Sequence, residues 1–133
     1  MKRIEHIGIA VTNLDYSKEL FTTIFGEESC KTEIVEKEGV VTCFFQIGDS
    51  KIELLSAINT ESPIAKFLEK NKEGVHHIAF IVDNIQEHIL RLKSKGIRVL
   101  NEEPKMGANN KLITFLHPKD TNGVLIELCQ KKE

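Results

Sequence analysis

The chain has three cysteines, Cys30, Cys43 and Cys129, and none lies close enough to another to form a CxxC zinc or redox pair. Their odd number, wide spacing and apolar neighbours exclude a disulfide framework and describe the reduced thiols of a cytoplasmic protein. No apolar run reaches membrane-spanning length. The opening "MKRIEHIGIAV" is no signal peptide, because Glu5 and His6 interrupt the apolar run behind its two positive charges. A field of one sign is also missing: 18 basic and 20 acidic residues are interspersed and give a net charge of -2. That balance excludes nucleic acid and anionic membranes as partners. What is present suits one soluble domain over residues 1–133, 41% hydrophobic and long enough to bury a core.

The chain repeats itself. "HIGIAVTNLDYSKEL" from His6 aligns without a gap on "HIAFIVDNIQEHILR" from His77, at an offset of 77 − 6 = 71. Further on, "FFQIGDSKIELLS" resembles "TFLHPKDTNGVLIELCQ" and pairs Glu53 with Glu127 at an offset of 127 − 53 = 74, so the second copy carries a loop about three residues longer.

Each copy opens with a β-rich run, "RIEHIGIAV" or "VHHIAFIV", followed by Asn13 or Asn84 at a helix N-cap. Leu14, Leu20, Phe21, Ile24 and Phe25 predict one apolar helical stripe, and Ile85, Ile89 and Leu92 the other, with Gly26 and Gly96 at the helix ends. Further strands are predicted at about 29–36, 40–47 and 51–56, then at about 97–100, 111–117 and 123–130. The reading is α+β, two tandem βαβββ modules at about 3–56 and 74–131. Between them Ser62 as cap, Pro63 at the first helical position and Ile64, Phe67 and Leu68 on one face predict a short linker helix at about 62–70.

The repeat singles out four polar residues. A lone His or Glu in a strand is more often on a solvated face or hydrogen-bonded in the core. Here, however, His6 and His77 occupy the first strand of each copy, Glu53 and Glu127 the last. A buried carboxylate needs a proton, a partner or a cation. Two imidazoles and two carboxylates brought together by a pseudo-symmetric pairing form a ligand set for a divalent metal such as Co²⁺, Mn²⁺, Zn²⁺ or Ni²⁺. Alternation lets only one of His76 and His77 face that site, and alignment with His6 selects His77. His88 falls on the solvent side of its helix and is given no role.

"HIGIAV", "KIELL", "SPIAKFLEKN", "GVHHIAF", "FLHPKD" and "GVLIELCQ" resemble the vicinal oxygen chelate superfamily, and within it the methylmalonyl-CoA epimerases. The likeness runs from Ile4 to about Lys131. It implies eight strands in an open U-shaped barrel around one divalent metal ion, with His6, Glu53, His77 and Glu127 as ligands, a homodimer and an acyl-CoA thioester substrate. The implied reaction inverts C2 by removing a proton from one face and returning it to the other, through an enolate that the ion stabilises. Glu127 is implied as ligand and acid/base; some members carry a second glutamate where this chain has Thr42, so the second base is open, with Glu36, Glu38 and His117 as candidates. His117 and Lys111, the latter in the loop "EEPKMGANNK", are candidate substrate contacts. Two alternatives stand beside this reading: a lactoylglutathione lyase (glyoxalase I), which usually shows "DPDGY" where this chain has "HPKDTNG", and a non-enzymatic small-molecule-binding module of the same fold.

Overall fold

A computed structural model describes residues 1–29 and 31–132, so the reading of Cys30 as a reduced thiol lies outside the described residues. In chain order the elements are β1 (Arg3–Ala10), α1 (Leu14–Phe25), β2 (Glu33–Val35), β3 (Val40–Ile47), β4 (Ser50–Ala57), α2 (Pro63–Asn71), β5 (Gly74–Ile81), α3 (Ile85–Ser94), β6 (Lys105–Met106), β7 (Lys111–Phe115) and β8 (Ile126–Lys131). Flanking the linker helix α2, each copy reads βαβββ, as its periodicities predict. The chain divides into two compact units, Ile7–His76 and Met1–His6 with His77–Glu133.

In the Ile7–His76 unit the strands run in the order β2-β3-β4-β1, with β3 antiparallel to both β2 and β4. Asn13 caps α1 by accepting from the Tyr16 backbone N–H, and Gly26 ends the helix in the left-handed region at φ 75°. Ser62 caps α2 by accepting from Ala65, one residue before Pro63. Gly39 sits at φ 68°, and a Cβ there would lie 2.6 Å from the Ser62 Cβ, so glycine is required on two counts. The core is Val11, Cys43, Phe45 and Leu54, with Leu14, Phe21 and Phe25 of α1 packed against it. The predicted apolar stripe is corrected at two places: Leu20 and Ile24 are 43% and 59% exposed, and Ser17 is the buried residue of the helix. A period of 3.6 brings 14, 17, 21 and 25 to one face, leaving 20 and 24 on its flank.

In the other unit the order is β1-β5-β8-β7-β6, with β5 and β8 parallel and β8, β7 and β6 antiparallel. Asn84 caps α3 through the Glu87 N–H, and Ile85 and Ile89 bury against Val82, Leu116 and Leu128. A strand at 97–100 does not form. The Arg98 N–H that a ladder would use donates to Asp120 at 2.8 Å, and Val99 makes only an isolated bridge to Leu116. The paired edge segment is β6 instead. β8 begins later than predicted, because Thr121 and the left-handed Gly123 (φ 83°) fold 121–124 into a turn.

Asp120 also takes a forked pair of bonds from the Arg98 side chain, at 2.9 and 3.0 Å. Those bonds, the Arg98 backbone N–H among them, hold its carboxyl at a pKa of about 2 against an ordinary 3.8. A lowered acid pKa gives stability that is complete above the unfolded value and is lost as pH falls through the folded one. The Asp120 carboxyl is therefore expected to titrate near pH 2 by carbon-detected NMR, and Arg98→Ala should return it toward 3.8. A wild-type midpoint already near 3.8 would show that the fork does not persist in solution.

Candidate functional site

The site is built on the parts of three neighbouring strands, β1, β5 and β8, that fall within the Met1–His6 and His77–Glu133 unit. Lys2 N–H donates to Ile81 O at 3.0 Å, and His6 and His77 lie four residues inward from that pair on β1 and β5 (6 − 2 = 4; 81 − 77 = 4). An antiparallel pair in this register sets the two histidines opposite each other. Their Nε2 atoms are 3.0 Å apart and the rings meet edge to face. In the parallel β5/β8 ladder Glu127 faces Ala79, which shares the parity of His77 and has too small a side chain to fill the space between them. Glu127 Oε1 then lies 3.3 Å from His77 Nε2 and 3.8 Å from His6 Nε2.

His6, His77 and Glu127 are 5%, 4% and 5% exposed, and one potential ligand atom from each falls within 4.8 Å of the others. Ligand bonds of about 2.0–2.2 Å separate two donors on one ion by about 3 Å at a right angle and about 4.2 Å when opposed. The three observed separations lie inside that range. Two imidazole nitrogens and a carboxylate oxygen therefore fit a divalent metal ion. The walls are apolar: the Phe115 ring stands edge-on to His77 at 6.0 Å, and Ala79, Ile113 and Cys129 form a buried cluster joined by Ile81 and Phe115. Burial pushes the Cys129 thiol well above its usual range, which leaves it a packing residue and not a nucleophile.

The other predicted residues are placed as follows. Glu53 is buried on β4 of the other unit, 6% exposed, opposite Phe44 of β3. Thr42 is buried on β3, and its hydroxyl donates to Glu33 O at 3.4 Å. Glu36 and Glu38 form the short 3-10 turn between β2 and β3, the first exposed and the second half-buried. His76 turns away from the parity of His77 and packs edge-on against Phe67 at 4.8 Å. His88 is half-buried on α3 beside Arg91, at 3.1 Å. His117 closes the turn before Pro118 by accepting from the Lys119 N–H through Nδ1. Lys111 is a buried residue at the start of β7, 9% exposed, and so is a strand residue and not a loop residue.

Glu5 was missed. Alternation assigns it to the opposite face from His6, yet its Oε1 lies 2.8 Å from His6 Nδ1 and the residue is 1% exposed. Its signal in the sequence was a charged residue inside the apolar run "RIEHIGIAV".

The family model of the Glyoxalase/Bleomycin resistance protein/Dioxygenase superfamily matches residues 5–115. The mitochondrial methylmalonyl-CoA epimerase of Homo sapiens is 44% identical over 129 residues, which cover 96% of this chain and 73% of that protein. The ethylmalonyl-CoA/methylmalonyl-CoA epimerase of Cereibacter sphaeroides is 43% identical over 96% of this chain and 97% of its own length. Among solved structures, a substituted Streptomyces coelicolor methylmalonyl-CoA epimerase in complex with 2-nitronate-propionyl-CoA superposes with a TM-score of 0.96 at 41% identity, covering 98% of this chain and 95% of that one. The chain belongs to the glyoxalase/bleomycin resistance protein/dioxygenase superfamily and has its α+β fold. Within that superfamily it stands with the methylmalonyl-CoA epimerases, which are isomerases. Among the described residues no helix is long and apolar enough to cross a membrane.

Proposed function

We propose that this protein epimerises methylmalonyl-CoA at C2, using one divalent metal ion held by His6, His77 and Glu127. The observation that carries the metal reading is the buried convergence of His6, His77 and Glu127. The substrate comes from relatives named for this reaction that are 43–44% identical over nearly all of the chain.

The C2 hydrogen of methylmalonyl-CoA lies between a thioester and a carboxylate, so its removal leaves a planar enolate. The nitronate bound by the Streptomyces coelicolor relative is also a planar anion. The metal ion would supply electrostatic stabilisation of charge on the substrate oxygens. The chain supplies the rest. Buried Ala79, Ile113 and Cys129 exclude water beside Glu127, where a carboxylate accepts and returns a proton most effectively. Inversion needs delivery from the opposite face, and the hydroxyl of the buried Thr42 cannot act as a carboxylate-like base. Glu36, Glu38 and His117 stay as candidates for that second role. His117 is assigned to the acyl-CoA in the same reading, and a homodimer in the cytoplasm completes it.

The deciding assay offers metal-reconstituted protein methylmalonyl-CoA and, in parallel, the methylglyoxal–glutathione hemithioacetal. Inversion and C2 exchange are expected on the first, with turnover of the second at least about 10²-fold slower, the scale of a misplaced reacting group. The reverse preference would assign the protein to lactoylglutathione lyase chemistry. Binding of either compound without turnover would make it a binding module.

A further inference from the structure

The Glu5 carboxylate lies between two cationic or proton-bearing groups, all inside one unit. Its Oε1 is 2.8 Å from His6 Nδ1, and its Oε2 is 3.9 Å from the Lys111 ammonium. All three residues are buried, at 1%, 5% and 9% exposure. A buried carboxylate is stabilised by such a proton donor and such a counter-charge. The second copy of the repeat has no equivalent. The residue aligned with Glu5 is His76 (5 + 71 = 76), which packs against Phe67 instead. Pseudo-symmetry therefore gives no reason for Glu5 to be there, and its role belongs to His6.

A carboxylate facing Nδ1 places the imidazole proton on that nitrogen and leaves the Nε2 lone pair unprotonated. His6 Nε2 is the atom that points at His77 Nε2 and Glu127, at 3.0 and 3.8 Å. We propose that Glu5, anchored by Lys111, is a positioning residue that fixes the Nδ1–H tautomer and the ring angle of His6, so that Nε2 is presented as a ready metal donor. The inference deepens the proposed metal site and rests on that reading for its function, though the tautomer itself does not depend on metal. It also turns Lys111 inward: 3.9 Å is the distance of an ion pair, too long for a hydrogen bond, so Lys111 acts by holding the charge of Glu5 in place.

Three variants test this: Glu5→Gln keeps an acceptor oxygen, Glu5→Leu fills a similar volume without one, and Lys111→Met removes the counter-charge. In metal-free, ¹⁵N-labelled wild type, long-range ¹H–¹⁵N correlation should show His6 protonated on Nδ1. The same tautomer should persist in Glu5→Gln and be lost in Glu5→Leu. Cobalt affinity, measured by competition with a chelator, should fall about 10–100-fold in Glu5→Leu, the usual cost of removing a partner behind a ligating histidine. It should fall less than about 10-fold in Glu5→Gln. Circular dichroism separates these effects from misfolding, and rescue by glutamine separates them from lost packing.

A wild-type His6 protonated on Nε2 overturns the proposal, as does equal cobalt affinity in wild type and a folded Glu5→Leu. If wild type binds no cobalt, the metal reading fails while the tautomer still decides the role of Glu5. For Lys111→Met the expected result is weaker cobalt binding at unchanged KM for the acyl-CoA. A raised KM with unchanged cobalt affinity would return Lys111 to the substrate and overturn its anchoring role.

Discussion

Replacing His77 by alanine is expected to abolish metal binding and epimerisation together. The imidazole is 4% exposed and lies 3.0 Å from His6 Nε2 and 3.3 Å from Glu127. Its removal takes a donor from the middle of the three-residue group and leaves Glu127 and His6 facing a void. The loss of affinity should exceed the roughly 10–100-fold that follows from deleting a partner behind a ligand. His88→Ala is the matched control: its ring is half-buried on α3 and bonded to Arg91, so metal content and rate should stay at wild-type levels. Because His77 also packs edge-on against Phe115 at 6.0 Å, the variant must be shown to be folded by circular dichroism before its metal content is measured. Equal losses in His77→Ala and His88→Ala, or full metal occupancy in the former, would overturn the site.

What the sequence disclosed about this site follows from its duplication. The 71-residue offset pairs His6 with His77, and an antiparallel ladder between the first strands of two copies makes those residues face each other. Caps were equally plain, since Asn13, Asn84 and Ser62 each accept from the N–H three residues on, a local chemistry that needs no tertiary context. The rest depended on long-range partners. "IRVL" has the composition of a strand, but Asp120, twenty-two residues away, captures the Arg98 N–H and diverts it. Lys111 read as a loop residue because its burial arises from β7 pairing with β8 and from Glu5, neither visible in "GANNK". Glu5 was lost to the alternation rule, which fixes where Cβ points and not where a carboxylate two bonds further on comes to rest.

The second large effect concerns Glu127 as acid and base. It sits on β8 opposite Phe115, with buried Leu128 and Cys129 following it, and is itself 5% exposed. In so dry a setting a carboxylate placed against the substrate exchanges a proton far more readily than one that must first shed water. Glu127→Gln preserves shape and one oxygen donor but has no proton to accept or return. If Glu127 serves as ligand alone, this variant, reloaded with metal, should keep most of its exchange of the C2 proton with deuterated water. If it is also an acid/base, exchange from at least one enantiomer should fall by about 10²-fold or more, the scale of a lost general base. The two enantiomers must be followed separately, because a base on one face leaves the proton on the other untouched. Exchange lost from one enantiomer only would place Glu127 on that face and send the search for its counterpart to Glu36, Glu38 and His117. Near-normal exchange from both, in a variant shown to hold metal, would remove Glu127 from the proton transfer and leave it a ligand.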